Sequence, residues 1–144
     1  MPRTTDDPGD EDRVAAVPGL QCRAVPADPG QLSALREDLA AWAARTSLPP
    51  PRAQDLLLAA YEAMANVIVH AYPGHAGTLT QHADNHADAV TVTVTDHGQW
   101  RPAPRPGLLG GGRGLPLIHA LADHAAIETS AAGTTVTMTW THDR

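Results

Sequence analysis

Leu56 to Tyr72 reads LLLAAYEAMANVIVHAY, an apolar stretch whose only polar side chains, two tyrosines aside, are Glu62, Asn66 and His70. At about 100° per residue, the i, i+4, i+8 spacing sets these three on one side of a helix. Leu57, Tyr61, Met64 and Ile68 fall nearly opposite and are expected to pack on a sheet. Such a helix, predicted from about Ala53 to Tyr72 and stopped by Pro73-Gly74, must be covered around most of its circumference while one narrow stripe stays wet. An unpaired amide or carboxylate in apolar surroundings costs roughly 1–3 kcal/mol. A solvent-facing stripe is the plainer alternative, but such stripes usually carry Lys, Arg or several Glu, not one Glu and one Asn. The chemistry on offer is specific. An Asn carbonyl oxygen is a hard ligand suited to Mg²⁺, which otherwise takes phosphate oxygens and waters. A Glu one turn away can orient or deprotonate a hydroxyl or a water.

The remaining sequence narrows what that stripe can serve. The 144 residues suffice for one domain with a real core. Residues 1–18 are acidic and Pro/Gly-bearing and read as a disordered tail, leaving 19–144 as the domain. A formal net charge of -6 argues against a surface that neutralises nucleic-acid phosphates. The single cysteine, Cys22, cannot form an internal disulfide. Met1 to Asp12 lacks the apolar core of a signal peptide, and no apolar run reaches membrane-spanning length, so a cytoplasmic location is expected. All ten basic residues are arginines. The absence of lysine excludes a P-loop lysine, a protein-kinase strand lysine and Schiff-base chemistry together.

Elements follow from pattern. Leu20 to Val25 alternates weakly, as a first edge strand. Asp28, Pro29 and Gln31 mark a helix start, with Leu32, Leu35, Leu39 and Trp42 at helical intervals and Pro49 to Pro51 as its expected end. Thr78 to Ala83 and Ala89 to Asp96 are expected to form a hairpin about Asp84-Asn85-His86. In the second strand Val90, Val92 and Val94 alternate with Thr91, Thr93 and Thr95. A third helix is expected from Leu115-Pro116 through Leu121, then a second hairpin, Ala125 to Thr129 with Thr134 to Thr141. The order β-α-α-β-β-α-β-β implies an α+β fold, a two-layer α/β sandwich with helices on one face of a mixed, mostly antiparallel sheet.

Two loops add chemistry. Asp96 closes the Val/Thr strand and is followed by His97 and Gly98; a carboxylate there can accept from an exocyclic amino group such as adenine's, and Gly98 leaves room for close approach. Gly110-Gly111-Gly112-Arg113-Gly114 precedes a helix, where free N–H groups and the positive dipole end suit an anion and Arg113 can add a charge-assisted contact. Gly133-Thr134-Thr135 lies in the last hairpin. His82 and His86 have a spacing seen in metal sites but flank the predicted turn, so no zinc is expected. His70 is read as a helix-end hydrogen-bonding group, and no role is assigned to His97.

In this order the motifs resemble those of the GHKL ATPases, whose ATP-binding unit is the Bergerat fold. Glu62-x-x-x-Asn66, Asp96-x-Gly98, Gly112-Arg113-Gly114-Leu115 and Gly133-Thr134 match that superfamily's asparagine and glycine boxes, over about Leu20 to Trp140. The run Glu62-Ala-Met-Ala-Asn66-Val-Ile-Val-His70-Ala-Tyr72 is most similar to the anti-sigma factor serine/threonine-protein kinases. The resemblance implies ATP and Mg²⁺ as cofactors, with Asn66 ligating Mg²⁺ and Glu62 as general base. It implies Asp96, Gly98 and Thr134 at the adenine, and Gly110, Gly112, Arg113 and Gly114 over the phosphates. It also implies phosphoryl transfer to a serine of an anti-anti-sigma (STAS) partner, sequestration of a sigma factor and a possible homodimer. A non-catalytic module that uses ATP only to set its shape for a partner is the alternative. The sequence departs from the pattern at Trp100, which occupies the second glycine position of the first glycine box.

Overall fold

The computed structural model describes residues 17–99 and 114–142. Five strands, β1 (Leu20–Pro26), β2 (Thr78–Asn85), β3 (Ala89–Asp96), β4 (His124–Ser130) and β5 (Gly133–Thr141), form one sheet in the order β1-β2-β3-β5-β4. Every pairing is antiparallel, so the sheet is uniform where a mixed one was expected. Three α-helices accompany it: α1 (Leu32–Ala43), α2 (Pro50–Asn66) and α3 (Gly114–Leu121). The α+β sandwich is as the element order implied.

The Val/Thr alternation of β3 sorts the sheet's two faces. Val90, Val92 and Val94 are buried against the helices, and Thr91, Thr93 and Thr95 stay half-exposed on the other side. Val136, Met138 and Trp140 of β5 and Leu79 of β2 extend the buried face. The helices contribute Leu39, Leu56, Met64 and Ile118. Two indoles reach the core edge with their N–H groups paired: Trp42 Nε1 donates to Pro18 O at 2.8 Å and Trp140 Nε1 to Leu121 O at 3.0 Å.

Four local readings need correction. Pro49 to Pro51 do not end α1; it stops at Ala43, where Thr46 folds back with its N–H and its hydroxyl on Ala43 O. The prolines instead open α2, with Pro49 at the cap and Pro50 in the first turn, where the missing N–H has no helical partner to lose. Tyr61 does not face the sheet and is 37% exposed. The buried face is centred on Ala59, Ala60, Ala63, Met64 and Val67, and its alanines bring the helix axis close. Finally, the helix does not run as α-helix to Tyr72: Val67–Ala71 is a five-residue π-helical turn. The first hairpin also turns later than expected, at His86 to Asp88, because β2 pairs through Asn85↔Val90.

At the sheet end near Thr139 and Thr141, Arg52 of α2 forms an ion pair with Asp123, which follows α3. Asp123 Oδ2 also accepts from the Thr141 N–H at 2.8 Å and the Thr141 hydroxyl at 3.0 Å. Burial alone would push this carboxyl up, but the Thr141 N–H, Arg52 and the Thr141 hydroxyl outweigh it and hold it down at about 2. A depressed carboxylate stabilises the fold above its unfolded value near 4, and that contribution fades as pH falls through about 2. The wild-type chain is therefore expected to lose on the order of 1–2 kcal/mol more stability between pH 5 and pH 2 than Asp123→Asn, allowing for partial solvent screening. Urea melts of both proteins across that range measure the difference; parallel pH curves would contradict it.

Candidate functional site

Asn66 is the last residue of α2 before the π turn and is 5% exposed. Its Nδ2 is buried with no hydrogen-bond partner among the described residues. Gln81 Oε1 and Arg52 Nε are also buried and unpaired, yet each side chain is engaged through another atom, Gln81 Nε2 donating to Leu35 O at 3.2 Å and Arg52 Nη2 pairing with Asp123. An amide buried this way costs about 1–3 kcal/mol unless something binds it. Glu62, one turn earlier, is half-buried on the same side.

Asp96 ends β3 and is 1% exposed. Its Oδ1 accepts from the Gly98 N–H at 2.9 Å and from the Thr134 N–H at 3.3 Å. Thr134 lies directly across the ladder from Asp96 and is equally buried. The two expected neighbours thus do meet, and backbone donors on both sides fix the carboxylate. Two glycines make this possible. Gly133 has φ 136, and a Cβ there would overlap Asp96 O and approach His97 Cα at 2.8 Å. A Cβ at Gly98 would overlap the Ala71 carbonyl oxygen and come within 2.8 Å of Tyr72 Cε1.

The turn after Asp96 is bound to the end of the Asn66 helix. Gln99 N donates to Ala71 O at 2.9 Å, and His97 N donates to the Tyr72 hydroxyl at 2.9 Å. Asn66 and Asp96, distant in sequence, therefore belong to one packed unit. Gly98→Ala or Gly133→Ala must push backbone against backbone, and each is expected to cost roughly 2–3 kcal/mol. Thermal melts should show both variants well below wild type, and a melting point within a degree of wild type would contradict this packing.

Gly114 opens α3, as expected for the end of the glycine stretch. Gly110, Gly112, Arg113 and Trp100 lie outside the described residues. His97 is exposed beside Asp96, and His70 sits half-buried on the π turn, rotated off the Glu62–Asn66 line. His82 stands beside Asp84, its Nε2 3.2 Å from Oδ2. Among the described residues no cluster of three or more His, Cys, Asp or Glu could hold a metal, so a cation here depends on the Asn66 amide oxygen and on ligand oxygens. That donor set suits Mg²⁺, which keeps several waters and phosphate oxygens. Nor is any described helix long and apolar enough to cross a membrane. Sequence reasoning missed Ala71, Tyr72 and the backbone role of Gly133. Their signal was only positional: Tyr72 sits at the stop before Pro73-Gly74.

The solved structures with this architecture include the RsbU and RsbW domains of Rv1364c from Mycobacterium tuberculosis, with a TM-score of 0.69 at 25% identity over 85% of this chain. A second is the histidine kinase domain of the blue-light activated histidine kinase EL346 from Erythrobacter litoralis, with a TM-score of 0.56 at 17% identity over 77% of this chain. The chain spans 31% of the first of those chains and 59% of the second. The second likeness is one of fold. The family model for the histidine kinase-like ATPase domain matches residues 25–140, which takes in Glu62, Asn66, Asp96, the glycine stretch and Thr134. With the antiparallel sandwich, the buried Asp96 beside Thr134 and the matched span in agreement, the chain belongs to the histidine kinase-like ATPase domain family.

Proposed function

We propose that this chain is an ATP- and Mg²⁺-dependent regulatory kinase of the cytoplasm. In this reading it phosphorylates a serine or threonine of an anti-anti-sigma (STAS-type) protein and sequesters a sigma factor. The observation that carries the reading is the buried Asn66 side chain, its Nδ2 without a hydrogen-bond partner among the described residues, on the helix that also bears Glu62. The RsbW domain among the similar structures supports the choice of regulatory kinase over other ATPases. The acidic net charge fits protein partners and not nucleic acid. A homodimer is part of the same proposal.

The chemistry follows from the side chains. Asn66 would hold Mg²⁺ through its amide oxygen; when bound, the ion neutralises the phosphate charge that builds during transfer. Asp96 accepts a hydrogen bond from the adenine amino group, and its carboxylate is already aimed by Gly98 and Thr134. Gly110, Gly112, Arg113 and Gly114 would close over the phosphates. Glu62 takes the proton of the acceptor hydroxyl as that oxygen bonds to the γ-phosphorus and the bond to the β,γ-bridging oxygen breaks, releasing ADP. Incubating the chain with γ-labelled ATP and candidate STAS proteins tests this. Label on a serine or threonine of one of them is expected. ATP binding with no transfer to any would leave a non-catalytic, ATP-shaped interaction module instead.

A further inference from the structure

Three successive backbone N–H groups follow Asp96, and each has a fixed acceptor. Gly98 N–H is held by Asp96 Oδ1, and Gln99 N–H by Ala71 O. His97 N–H, the first of the three, goes to a side chain, the Tyr72 hydroxyl at 2.9 Å. That hydroxyl donates in turn to Thr78 O, at the start of β2, at 2.6 Å. One phenol thus joins the end of the Asn66 helix, the start of β2 and the turn that carries Asp96.

The ring is as constrained as the hydroxyl. A Cβ at Gly77 would overlap the Tyr72 ring, and one at Gly98 would press on Cε1 at 2.8 Å. His75 meets the ring edge-on at 5.7 Å. The π turn at Val67–Ala71 puts Tyr72 in this slot. A π turn holds about one residue more than an α turn, which rotates everything after it by roughly 100° relative to a continued α-helix. Such interruptions recur at functional sites because they re-aim side chains.

We propose that Tyr72 is a positioning residue for base recognition: its hydroxyl sets the Asp96–Gln99 turn so that the Asp96 carboxylate distinguishes a 6-aminopurine from a 6-oxopurine. The inference rests on Asp96 reading the adenine amino group. A carboxylate attracts an amino group and opposes the oxo oxygen of inosine triphosphate, since both are acceptors. Sites built around such a buried polar contact discriminate strongly, provided the acceptor is held in place.

The test measures binding of ATP and of inosine triphosphate, each with Mg²⁺, to the full chain, Tyr72→Phe and Arg52→Met. Wild type is expected to favour ATP by about 100-fold. Tyr72→Phe keeps the ring in its slot, and His97 N–H is exposed enough to take water, so the fold is retained. Its ATP affinity is expected to fall about tenfold while its affinity for inosine triphosphate changes less than about twofold. Arg52→Met loosens the opposite end of the sheet and keeps the wild-type ratio. An unchanged ratio in Tyr72→Phe overturns the role of Tyr72 but leaves Asp96 as the base reader. A wild type indifferent to the two nucleotides overturns the Asp96 reading itself, and Tyr72's role with it. Hydrogen exchange tests the same bond without a variant: the His97 amide, in an exposed residue, is expected to exchange slowly, and fast exchange there overturns the proposal.

Discussion

Asn66→Ala is expected to remove Mg²⁺-dependent ATP binding, with an affinity loss of at least about 100-fold, or about 2.7 kcal/mol. The same substitution should leave the fold as stable as wild type or slightly more so. The buried Nδ2 has no partner among the described residues, so its removal relieves a desolvation cost and breaks no bond within them. Lost binding with retained or raised melting temperature is an unusual pair. A residue kept for packing would show the reverse, because truncating a buried side chain destabilises. Calorimetry and thermal melts of one preparation give both numbers. Unchanged affinity would remove Asn66 from the metal, and a large fall in melting temperature would assign it to the core.

Glu62→Ala is expected to act on a different step. Glu62 is half-buried one turn before Asn66, and no described contact ties it to Asp96 or its turn. ATP affinity should therefore stay within about threefold, while phosphoryl transfer falls by roughly 10²–10⁴, the range for loss of a positioned base. Single-turnover transfer to the partner protein, measured at saturating ATP, separates the two quantities. Transfer at the wild-type rate would mean that the proton leaves by another route. A parallel collapse of binding would mean that Glu62 serves the nucleotide and not the acceptor hydroxyl.

Much of this architecture was legible because the sequence repeats its signals. The Val/Thr alternation marked β3 to its ends, since period-two patterning leaves a half-buried strand one register, whereas its pairing with β5 was not among the two expected hairpins. The resemblance to the GHKL boxes implied Thr134 beside Asp96, and the two lie directly opposite each other. What failed did so for local reasons. Proline both ends helices and opens them, and pattern alone does not say which side of Pro49-Pro50-Pro51 is helical. Tyr61 was placed by angle alone, whereas the helix settled on its alanines, which allow a closer approach than any ring.

The π turn left no mark in the sequence, because Val67 to Ala71 has the composition of an ordinary apolar helix. With it went Tyr72 and Ala71, whose importance comes from where a rotated helix end meets the turn after Asp96. The departure of β1 from regular pairing between Cys22 and Val25, with Ala24 at φ 52, was equally unmarked. The glycine stretch up to Arg113 was legible as chemistry, and only its exit, Gly114 at the head of α3, belongs to the described structure.

The central claim is that the Asn66 helix and the Asp96 turn together bind a nucleotide through a magnesium ion. Calorimetric titration of the full chain with ATP, in the presence of Mg²⁺ and then of excess chelator, tests it most directly. Saturable binding with Mg²⁺ that is lost on chelation is the predicted result; no binding at millimolar ATP in either condition would contradict it.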